Sequence, residues 1–283
     1  MKIAVTGSSG KLGSATVQHL RDEGHEVIGF DLHGTAGPGF TRVDLADYGQ
    51  VLDAILGVTA RHDGLDALVH LAALPVNGLV PDAATFTANV SSTFHVLHAA
   101  YRAGISQIVM ASSITLMGFP HFADIPALPV DENYTQANNT YALGKVAEEA
   151  ITAQLVRWIP DASIAALRLT NIVAPGEYGS FVRADDPEYR RDLLHSYVDV
   201  RDAAHAVSLA LAARIPGYEV YNIAASDVGS SIPSRKLAEH SYPGAAVRAD
   251  LGEWETLMSI DKARRMLGFE PRHLWRSEYS ATP

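Results

Sequence analysis

The sequence contains no cysteine among its 283 residues. This absence excludes disulfides, thiolate metal sites and a cysteine nucleophile. Basic residues are also few, because 22 Lys and Arg stand against 32 Asp and Glu and give a formal net charge of -10. Nucleic acids and anionic membranes both require a basic surface, so the composition predicts neither as a partner.

Long apolar runs are also missing from the sequence. No stretch approaches the ~20 consecutive apolar residues that a membrane span requires. The chain starts with a short apolar run at 3–6 that has neither the basic flank nor the cleavage motif of a signal peptide, so we expect a first strand there. We therefore expect a soluble, cytoplasmic protein.

Histidine is abundant, with 12 residues, but no metal-binding spacing is present. His95 and His98 come nearest to one, because they stand three residues apart in a predicted helix. No carboxylate is placed to join them, so the sequence predicts no metal site.

Short apolar runs alternate with longer helical patterns through the first two thirds of the chain. This alternation is typical of a parallel sheet covered by helices, and it predicts an α/β fold. The predicted strands cover residues 3–6, 26–30, 40–43, 67–71, 107–111 and 163–169. The predicted helices cover residues 11–23, 48–60, 83–103 and 141–158.

The rest of the chain is less regular. Residues 118–140 are rich in proline and too long for an ordinary link, which favours a functional loop. Beyond residue 170 only a helix at 200–213 and a strand at 219–223 are clear. We predict a main domain at 1–170 and mainly a small substrate-binding region at 171–283, with elements within 198–223 returning to the main domain.

Three glycines follow the first strand and open the first helix. Gly7, Gly10 and Gly13 would let the backbone approach a pyrophosphate, whose charge the helix N-terminus would meet. Their spacing is Gly-x-x-Gly-x-x-Gly, whereas the common dehydrogenase pattern is Gly-x-Gly-x-x-Gly. An ordinary tight turn is the alternative, but the position between strand and helix favours a dinucleotide site.

Asp31 ends the second strand about twenty residues beyond the glycines. A carboxylate there can accept hydrogen bonds from the adenosine ribose hydroxyls and would repel a 2′-phosphate. The sequence therefore predicts NAD as the cofactor, in preference to NADP.

Tyr141 and Lys145 lie four residues apart in a predicted helix, so their side chains share one face. A phenol in water ionises near pH ~10, and a nearby ammonium favours phenolate, which makes such a tyrosine a usable proton shuttle. An aromatic at the core edge beside a solvated charge is the common alternative. The pair is informative only together with other parts of a site.

Further motifs occur in a fixed order along the chain, and together they carry a family resemblance. They are residues 6–13 (Thr-Gly-x-x-Gly-x-x-Gly), Asp44-Leu45, His70-Leu71-Ala72-Ala73, Asn89-Val90-Ser91-Ser92-Thr93, residues 112–118 (Ser-Ser-x-x-x-x-Gly), residues 168–173 (Arg-x-x-Asn-x-x) and residues 197–203 (Tyr-Val-Asp-x-x-Asp-x). The chain resembles the extended short-chain dehydrogenase/reductases of the NAD-dependent epimerase/dehydratase family from Met1 to about Ile223. Ser92 departs from the glycine that this family usually has there.

The resemblance implies a Rossmann-type doubly wound parallel sheet, with residues 1–170 binding NAD. It also implies roles for three residues: Tyr141 as proton shuttle, Ser113 as its hydrogen-bonding partner at the same substrate oxygen, and Lys145 at the nicotinamide ribose. Relatives commonly dimerise through the helices that carry Asn89 and Tyr141, so a homodimer is expected.

The resemblance also implies the binding residues. For NAD these are Gly7, Ser9, Gly10, Lys11, Leu12, Gly13, Asp31, Asp44, Leu45, Leu71, Ala72, Ala73, Asn89, Ala111, Tyr141, Lys145 and Asn171. For a small-molecule sugar or sugar-acid substrate they are Pro75, Ser113, Ile114, Asn171 and Arg183.

Departures from the family pattern narrow the set of reactions that the chain is expected to catalyse. Dehydratases carry an acidic pair beside the catalytic hydroxyl residue, whereas Ser113 is followed by Ile114 and Thr115. Only residues 175–196 separate two motifs between which nucleotide-sugar enzymes insert a longer stretch. The short chain is similar in this respect to uronate dehydrogenases, which oxidise a free sugar acid at C1 with NAD⁺.

A uronate would need a cation for its carboxylate, and the short segment offers Arg183, Arg190 and Arg191. Arg183 ranks first because it lies nearest the predicted pocket strand. The leading hypothesis is thus an NAD-dependent sugar or sugar-acid dehydrogenase. A nucleotide-sugar 4-epimerase that retains NAD is the alternative, and a non-catalytic NAD(H)-sensing regulator carries less weight because Tyr141 and Lys145 are both kept.

Overall fold

Strands and helices alternate in the computed structural model, which describes residues 1–35, 37–76, 78–118 and 125–280. The strands are β1 Lys2–Thr6, β2 Glu26–Asp31, β3 Phe40–Arg42, β4 Ala67–His70, β5 Gln107–Ser113, β6 Ala127–Leu128, β7 Ser163–Leu169, β8 Ile172–Val173, β9 Val198–Asp199, β10 Gly217–Ile223 and β11 Ala246–Val247. The helices are α1 Lys11–Asp22, α2 Tyr48–Ile55, α3 Asp82–Ala103, α4 Thr140–Leu155, α5 Val200–Ala213, α6 Ser234–Ser241, α7 Asp261–Leu267 and α8 Trp275–Ser280. Part of the loop predicted at 118–140, residues 119–124, lies outside the described residues.

The central sheet has seven strands in the order β10-β7-β5-β4-β1-β2-β3, and every neighbouring pair is parallel. The chain builds outward from β1 to β3 and then from β4 to β10 in the opposite direction. The order therefore reverses between β1 and β4, which is where open α/β sheets bind ligands at their carboxyl ends. The predicted Rossmann-type fold is confirmed.

Both faces of the sheet are buried beneath helices, as parallel sheets require. One layer of the core joins α1 and α5 to the sheet through residues such as Leu20 and Val207. The other layer joins α2 and α3 to it through residues such as Val51 and Leu97. The two layers fix the carboxyl ends of the strands as one rigid edge.

β5 runs two residues farther than predicted and ends at Ser113 instead of 111. The sequence signal ended early because Ser112 and Ser113 are polar, but both pair with β7, Ser113 opposite Leu169. This extension places Ser113 at the edge where the sheet order reverses.

β10 pairs along the whole length of β7, from Gly217 opposite Ser163 to Ile223 opposite Leu169. It begins two residues before the predicted strand at 219–223. This part of the C-terminal third therefore belongs to the central sheet. The division of the chain at residue 170 stays a prediction.

α2 is shorter than predicted, because it ends at Ile55 and not at 60. Gly57 follows it with a φ of +85°, and a Cβ there would overlap the carbonyl of His62. The returning chain at His62 thus ends the helix, which local propensity does not reveal. Across the described part of the chain, no helix has both the length and the apolar character to cross a bilayer.

Candidate active site

A cavity of about 540 Å³ lies at the carboxyl ends of the strands. It is lined by Gly7, Gly10, Lys11, Leu12, Gly13, Leu71, Ala73, Pro75, Val76, Ala111, Ser112, Ser113, Ile114, Thr115, Tyr141, Lys145, Leu169, Thr170, Asn171, Ile172 and Leu193. A larger concave region of about 1150 Å³ lies beside β2 and β3, but none of the residues lining it belongs to the predicted site. The 540 Å³ cavity, although the smaller of the two, is therefore the candidate active site, because it is lined by the predicted site residues.

The glycine turn forms one wall of this cavity. Gly7 has a φ of +67°, and a Cβ there would come within 2.7 Å of the Ala72 backbone. A Cβ on Gly13 would overlap the Gly7 carbonyl, so α1 packs against the turn backbone to backbone. The start of α1 therefore lies against the cavity with its amides at a helix N-terminus, which suits a pyrophosphate.

Asp31 shapes the loop beside the glycine turn. Its Oδ2 accepts a hydrogen bond from the Ser9 amide at 2.9 Å, and its Oδ1 accepts one from the His33 amide at 3.0 Å. The carboxylate is thus held at the carboxyl end of β2, next to the turn. A negative charge fixed there would accept bonds from ribose hydroxyls and repel a phosphate.

Lys11 crosses from the turn to the opposite wall of the cavity. Its Nζ donates to Glu177 Oε2 at 2.6 Å and to the Ile172 carbonyl at 3.2 Å. The pair links the first turn of α1 to the segment after β8. Because both side chains are about half exposed, this ion pair adds little stability.

Tyr141 and Lys145 share one face of α4, as predicted. The Asn139 side chain caps this helix by accepting a hydrogen bond from the Ala142 amide at 2.8 Å, which fixes the first turn that carries Tyr141. The ammonium of Lys145 lies 5.8 Å from the centre of the Tyr141 ring. Both side chains are buried but line the cavity.

Ser113 faces the same cavity from the end of β5. Its Oγ accepts hydrogen bonds from the Thr115 amide at 3.2 Å and from Thr115 Oγ1 at 3.0 Å. Since both bonds use the oxygen as acceptor, the Ser113 hydroxyl can still donate to a bound oxygen. Ser113, Tyr141 and Lys145 are therefore brought together as the sequence predicts.

A chain of buried hydrogen bonds runs from Lys145 into the core. Lys145 Nζ donates to Glu148 Oε2 at 2.8 Å and to the Ala111 carbonyl at 3.1 Å. Thr93 Oγ1 donates to the same Glu148 oxygen at 3.1 Å and lies 3.1 Å from His70 Nε2. Glu148 Oε1 is buried with no hydrogen-bond partner among the described residues.

The charges in this chain are set by burial and by Glu148. Burial alone would lower the pKa of Lys145, but the nearby Glu148 carboxylate and Tyr141 together hold that pKa above its ordinary value. Burial, followed by the charge of Lys145, lowers the pKa of His70 to about 3. At neutral pH the chain therefore presents an ammonium at Lys145 and a neutral imidazole at His70.

Several predicted cofactor residues support the cavity without lining it. Asn89 holds the strand-to-helix loop, because its Oδ1 accepts from the Leu74 amide at 2.8 Å and its Nδ2 donates to the Leu74 carbonyl at 3.0 Å. Asp44 starts the turn before α2 by accepting from the Ala46 amide at 2.9 Å. Ser9, Asp31, Leu45 and Ala72 also lie outside the set that lines the 540 Å³ cavity.

Arg190 does not line the cavity itself but contacts Asn171, which does. Its Nη1 donates to Asn171 Oδ1 at 2.9 Å, and its guanidinium lies 4.2 Å from the centre of the Phe181 ring. Arg183, the first choice from the sequence, has a side chain that is 65% exposed and pairs with Asp186. The backbone turn that brings Arg190 back toward Asn171 could not be seen from chain distance.

Glu148 is the functional candidate that the sequence reasoning missed. The available signal was its position three residues after Lys145 in a predicted helix, which allows the two side chains to meet. A glutamate at that spacing is usually solvated. Here Glu148 is 1% exposed and accepts a hydrogen bond from Lys145.

Comparison with known proteins fits this geometry. The model of the NAD dependent epimerase/dehydratase family matches residues 3–224. The chain belongs to this family. It is 25% identical to a UDP-glucose 4-epimerase of Corynebacterium glutamicum in an alignment 315 residues long. The alignment covers 96% of this chain and 92% of that protein.

Solved structures of other proteins share the same fold. A short-chain dehydrogenase/reductase superfamily protein from Agrobacterium tumefaciens, solved with bound NAD, superposes with a TM-score of 0.75 at 21% identity, over 100% of this chain and 96% of that one. A mutated uronate dehydrogenase superposes with a TM-score of 0.70 at 20% identity, over 99% and 85% of the two chains.

NAD is the cofactor of this family, and the residues present here fit it. The glycine turn leaves no room for a Cβ at Gly7 or Gly13, so the turn and the start of α1 pack backbone to backbone, as in the dinucleotide-binding fingerprint. Lys145 and Tyr141 line the same cavity. The cavity thus combines a turn that suits a pyrophosphate with two candidate reactive side chains.

Proposed function

We propose that this protein is an NAD-dependent oxidoreductase that moves a hydride between NAD and a sugar or sugar-acid carbon, with Tyr141 as the proton shuttle. One observation carries the proposal: Ser113, Tyr141 and Lys145 line the same cavity as the glycine turn. When bound, NAD supplies the hydride acceptor or donor at its nicotinamide.

The residues of the chain handle the proton. Tyr141 takes the proton of the substrate hydroxyl during oxidation and returns it to the carbonyl oxygen during reduction. Ser113 donates a hydrogen bond to the same oxygen and so fixes its distance from Tyr141. Lys145, held as an ammonium, favours the phenolate form of Tyr141 and offers a donor to the nicotinamide ribose.

Dehydration fits this cavity poorly. Eliminating water requires an additional acid and base at the substrate. Among the described residues that line the cavity, none is Asp, Glu or His. Ser113 has Thr115 as its hydrogen-bonding neighbour, where a dehydratase would carry a carboxylate.

A small anionic substrate suits the wall that Asn171 forms. Arg190 donates a hydrogen bond to Asn171 at this wall. The Nε of Arg190 is buried without a hydrogen-bond partner among the described residues. Arginine is the side chain that best matches a carboxylate, through its positive charge and its planar set of donors. We therefore assign carboxylate recognition to Arg190 in place of Arg183, and a uronate is the substrate class that this favours.

A nucleotide-sugar 4-epimerase is the second candidate function. The similarity to a UDP-glucose 4-epimerase over 96% of the chain favours it. The same Ser113 and Tyr141 would serve, because epimerisation also begins with hydride removal coupled to proton transfer. The two functions differ in whether NADH leaves the protein.

A substrate screen tests the proposal. The purified full chain is mixed with excess NAD⁺ and with free uronates, free aldoses or UDP-sugars, and NADH absorbance is followed. Steady NADH formation with a free uronate is expected. NAD that copurifies tightly, together with UDP-sugar interconversion and no net NADH, would establish the epimerase instead, and no turnover of any kind would contradict both enzymatic functions.

A further inference from the structure

Two histidines and a glutamate meet between α1 and α5, on the side of the sheet that α1 and α5 cover. His19 Nε2 lies 3.4 Å from His205 Nδ1 and 3.3 Å from Glu23 Oε1. One atom from each of the three residues lies within 4.8 Å of both others. None of these residues lines the 540 Å³ cavity, so the cluster is independent of the proposed reaction.

The spacing of these atoms matches the ligand shell of zinc. Zinc binds imidazole nitrogen at about 2.0–2.1 Å and carboxylate oxygen at about 2.0–2.2 Å in a tetrahedron. Two ligands of such a tetrahedron lie about 3.3–3.5 Å apart, by simple geometry from those bond lengths. The two separations from His19 Nε2, 3.4 and 3.3 Å, fall in or at the edge of this range, and the separation between His205 and Glu23 is within 4.8 Å.

A hydrogen bond from a neighbouring side chain fixes the orientation of the Glu23 carboxylate. Ser208 donates from Oγ to Glu23 Oε2, which leaves Oε1 directed at His19. Partners of this kind fix ligand geometry in metal sites.

We propose that His19, Glu23 and His205 form a site for a divalent transition metal of the zinc type, which joins the C-terminal end of α1 to α5. Imidazole and carboxylate ligands suit such an ion, and its fourth position would be taken by water. The ligands stand 186 residues apart at their widest, so the metal would connect the first helix to the C-terminal third. Since α1 begins at the glycine turn, the ion would brace the helix whose other end borders the cavity.

Calorimetric titration tests the site directly. The full chain is treated with EDTA, exchanged into metal-free buffer and titrated with zinc chloride, and its melting temperature is recorded with and without zinc. One zinc per chain is expected, with a rise in melting temperature, because a metal that binds only the folded state stabilises it. His19→Ala and His205→Ala should each weaken binding by more than about 10-fold, since even outer-shell partners are worth 10- to 100-fold.

Matched controls separate this site from other histidines. His240 pairs with Glu188 at 2.8 Å, so His240→Ala removes a more exposed histidine–carboxylate pair and should leave zinc binding unchanged. His25 Nε2 lies 4.0 Å from Glu23 Oε2, and His25→Ala should also retain the site. Absence of stoichiometric zinc binding would overturn the proposal. So would a wild-type affinity in the His205→Ala variant, or a loss of binding caused by His25→Ala and not by His205→Ala.

Discussion

Lys145 donates a hydrogen bond from Nζ to Glu148 Oε2 at 2.8 Å, and their side chains are only 3% and 1% exposed. The cation at the proposed reactive centre is therefore balanced by an anion one turn farther along α4. An ammonium at that depth is costly without such a partner, because burial disfavours its charged form. Glu148 thus keeps Lys145 charged where Tyr141 can use the charge.

Removing Glu148 alone should destabilise the protein markedly. Glu148→Leu leaves a buried ammonium without its counter-charge, and breaking a buried pair in this way costs about 3–5 kcal/mol. The double variant Lys145→Met/Glu148→Leu should recover most of that loss, since it buries no charge. Urea denaturation of both variants and of the wild type measures the coupling. A cost below about 1 kcal/mol for Glu148→Leu would show that the pair contributes nothing beyond an exposed ion pair.

His70 should make stability depend on pH. Its folded-state pKa is lowered to about 3, whereas a histidine in the unfolded chain titrates near ~6.5. Below that pH the unfolded state binds a proton that the folded state does not, so stability is fully present above ~6.5 and falls toward pH ~3, by up to about 1.4 kcal/mol per pH unit.

The free energy of unfolding at pH 7.5, 6.5 and 5.5 checks this prediction. The His70 ring lies 2.8 Å from Thr6 Oγ1 and 3.1 Å from Thr93 Oγ1. Gln offers a polar group there without titrating, so His70→Gln is the matched variant and should show a smaller loss of stability on acidification than the wild type. His195, whose pKa burial lowers to about 4, contributes equally in both proteins. Parallel pH dependences in the two proteins would show that His70 does not carry this effect.

Asp31 should determine cofactor preference. Its carboxylate is fixed by the Ser9 and His33 amides at the carboxyl end of β2, so it repels a 2′-phosphate placed there. The wild type should bind NAD⁺ much more tightly than NADP⁺, and Asp31→Asn should reduce the ratio by on the order of tenfold, or about 1.4 kcal/mol. Asp22→Asn on the surface of α1 is the control. Fluorescence titration gives the ratio, and an unchanged value in Asp31→Asn would rule out the assignment.

Arg190 should discriminate acidic from neutral sugars. Arg190→Ala should raise KM for a uronate by roughly 10- to 100-fold, as expected for a lost charge-assisted bond of about 1.5–3 kcal/mol. KM for a neutral aldose should change little. Arg183→Ala, which removes an exposed arginine paired with Asp186, is the control and should leave both values near those of the wild type. The assignment fails if Arg183→Ala is the variant that loses the uronate.

Local sequence signals predicted the parts of the site that lie on single elements. The glycine turn, Asp31 and the pair on α4 each follow from a strand end, a helix start or a helical spacing. The glycine turn and Asp31 lie close together because the carboxyl ends of parallel strands share one edge. Ser113 lines the cavity, and β5 proved longer than its apolar core.

Tertiary contacts account for what the sequence could not provide. The burial of Glu148 depends on Thr93 from α3, and the approach of Arg190 to Asn171 depends on the fold of the intervening segment. Likewise, His19 meets His205 only because α1 and α5 pack on the same face of the sheet. No periodicity or spacing along the chain indicates these contacts.

Tyr141→Phe gives the sharpest test of the proposed chemistry. The variant keeps the ring that packs at the start of α4 but removes the group that exchanges the proton. With the substrate found in the screen, kcat should fall by about 10²- to 10⁴-fold while the Kd for NAD⁺ stays nearly unchanged. Tyr101→Phe, on the exposed surface of α3, should retain full activity. A Tyr141→Phe protein that forms NADH at the wild-type rate would contradict the assignment of Tyr141 as the proton shuttle.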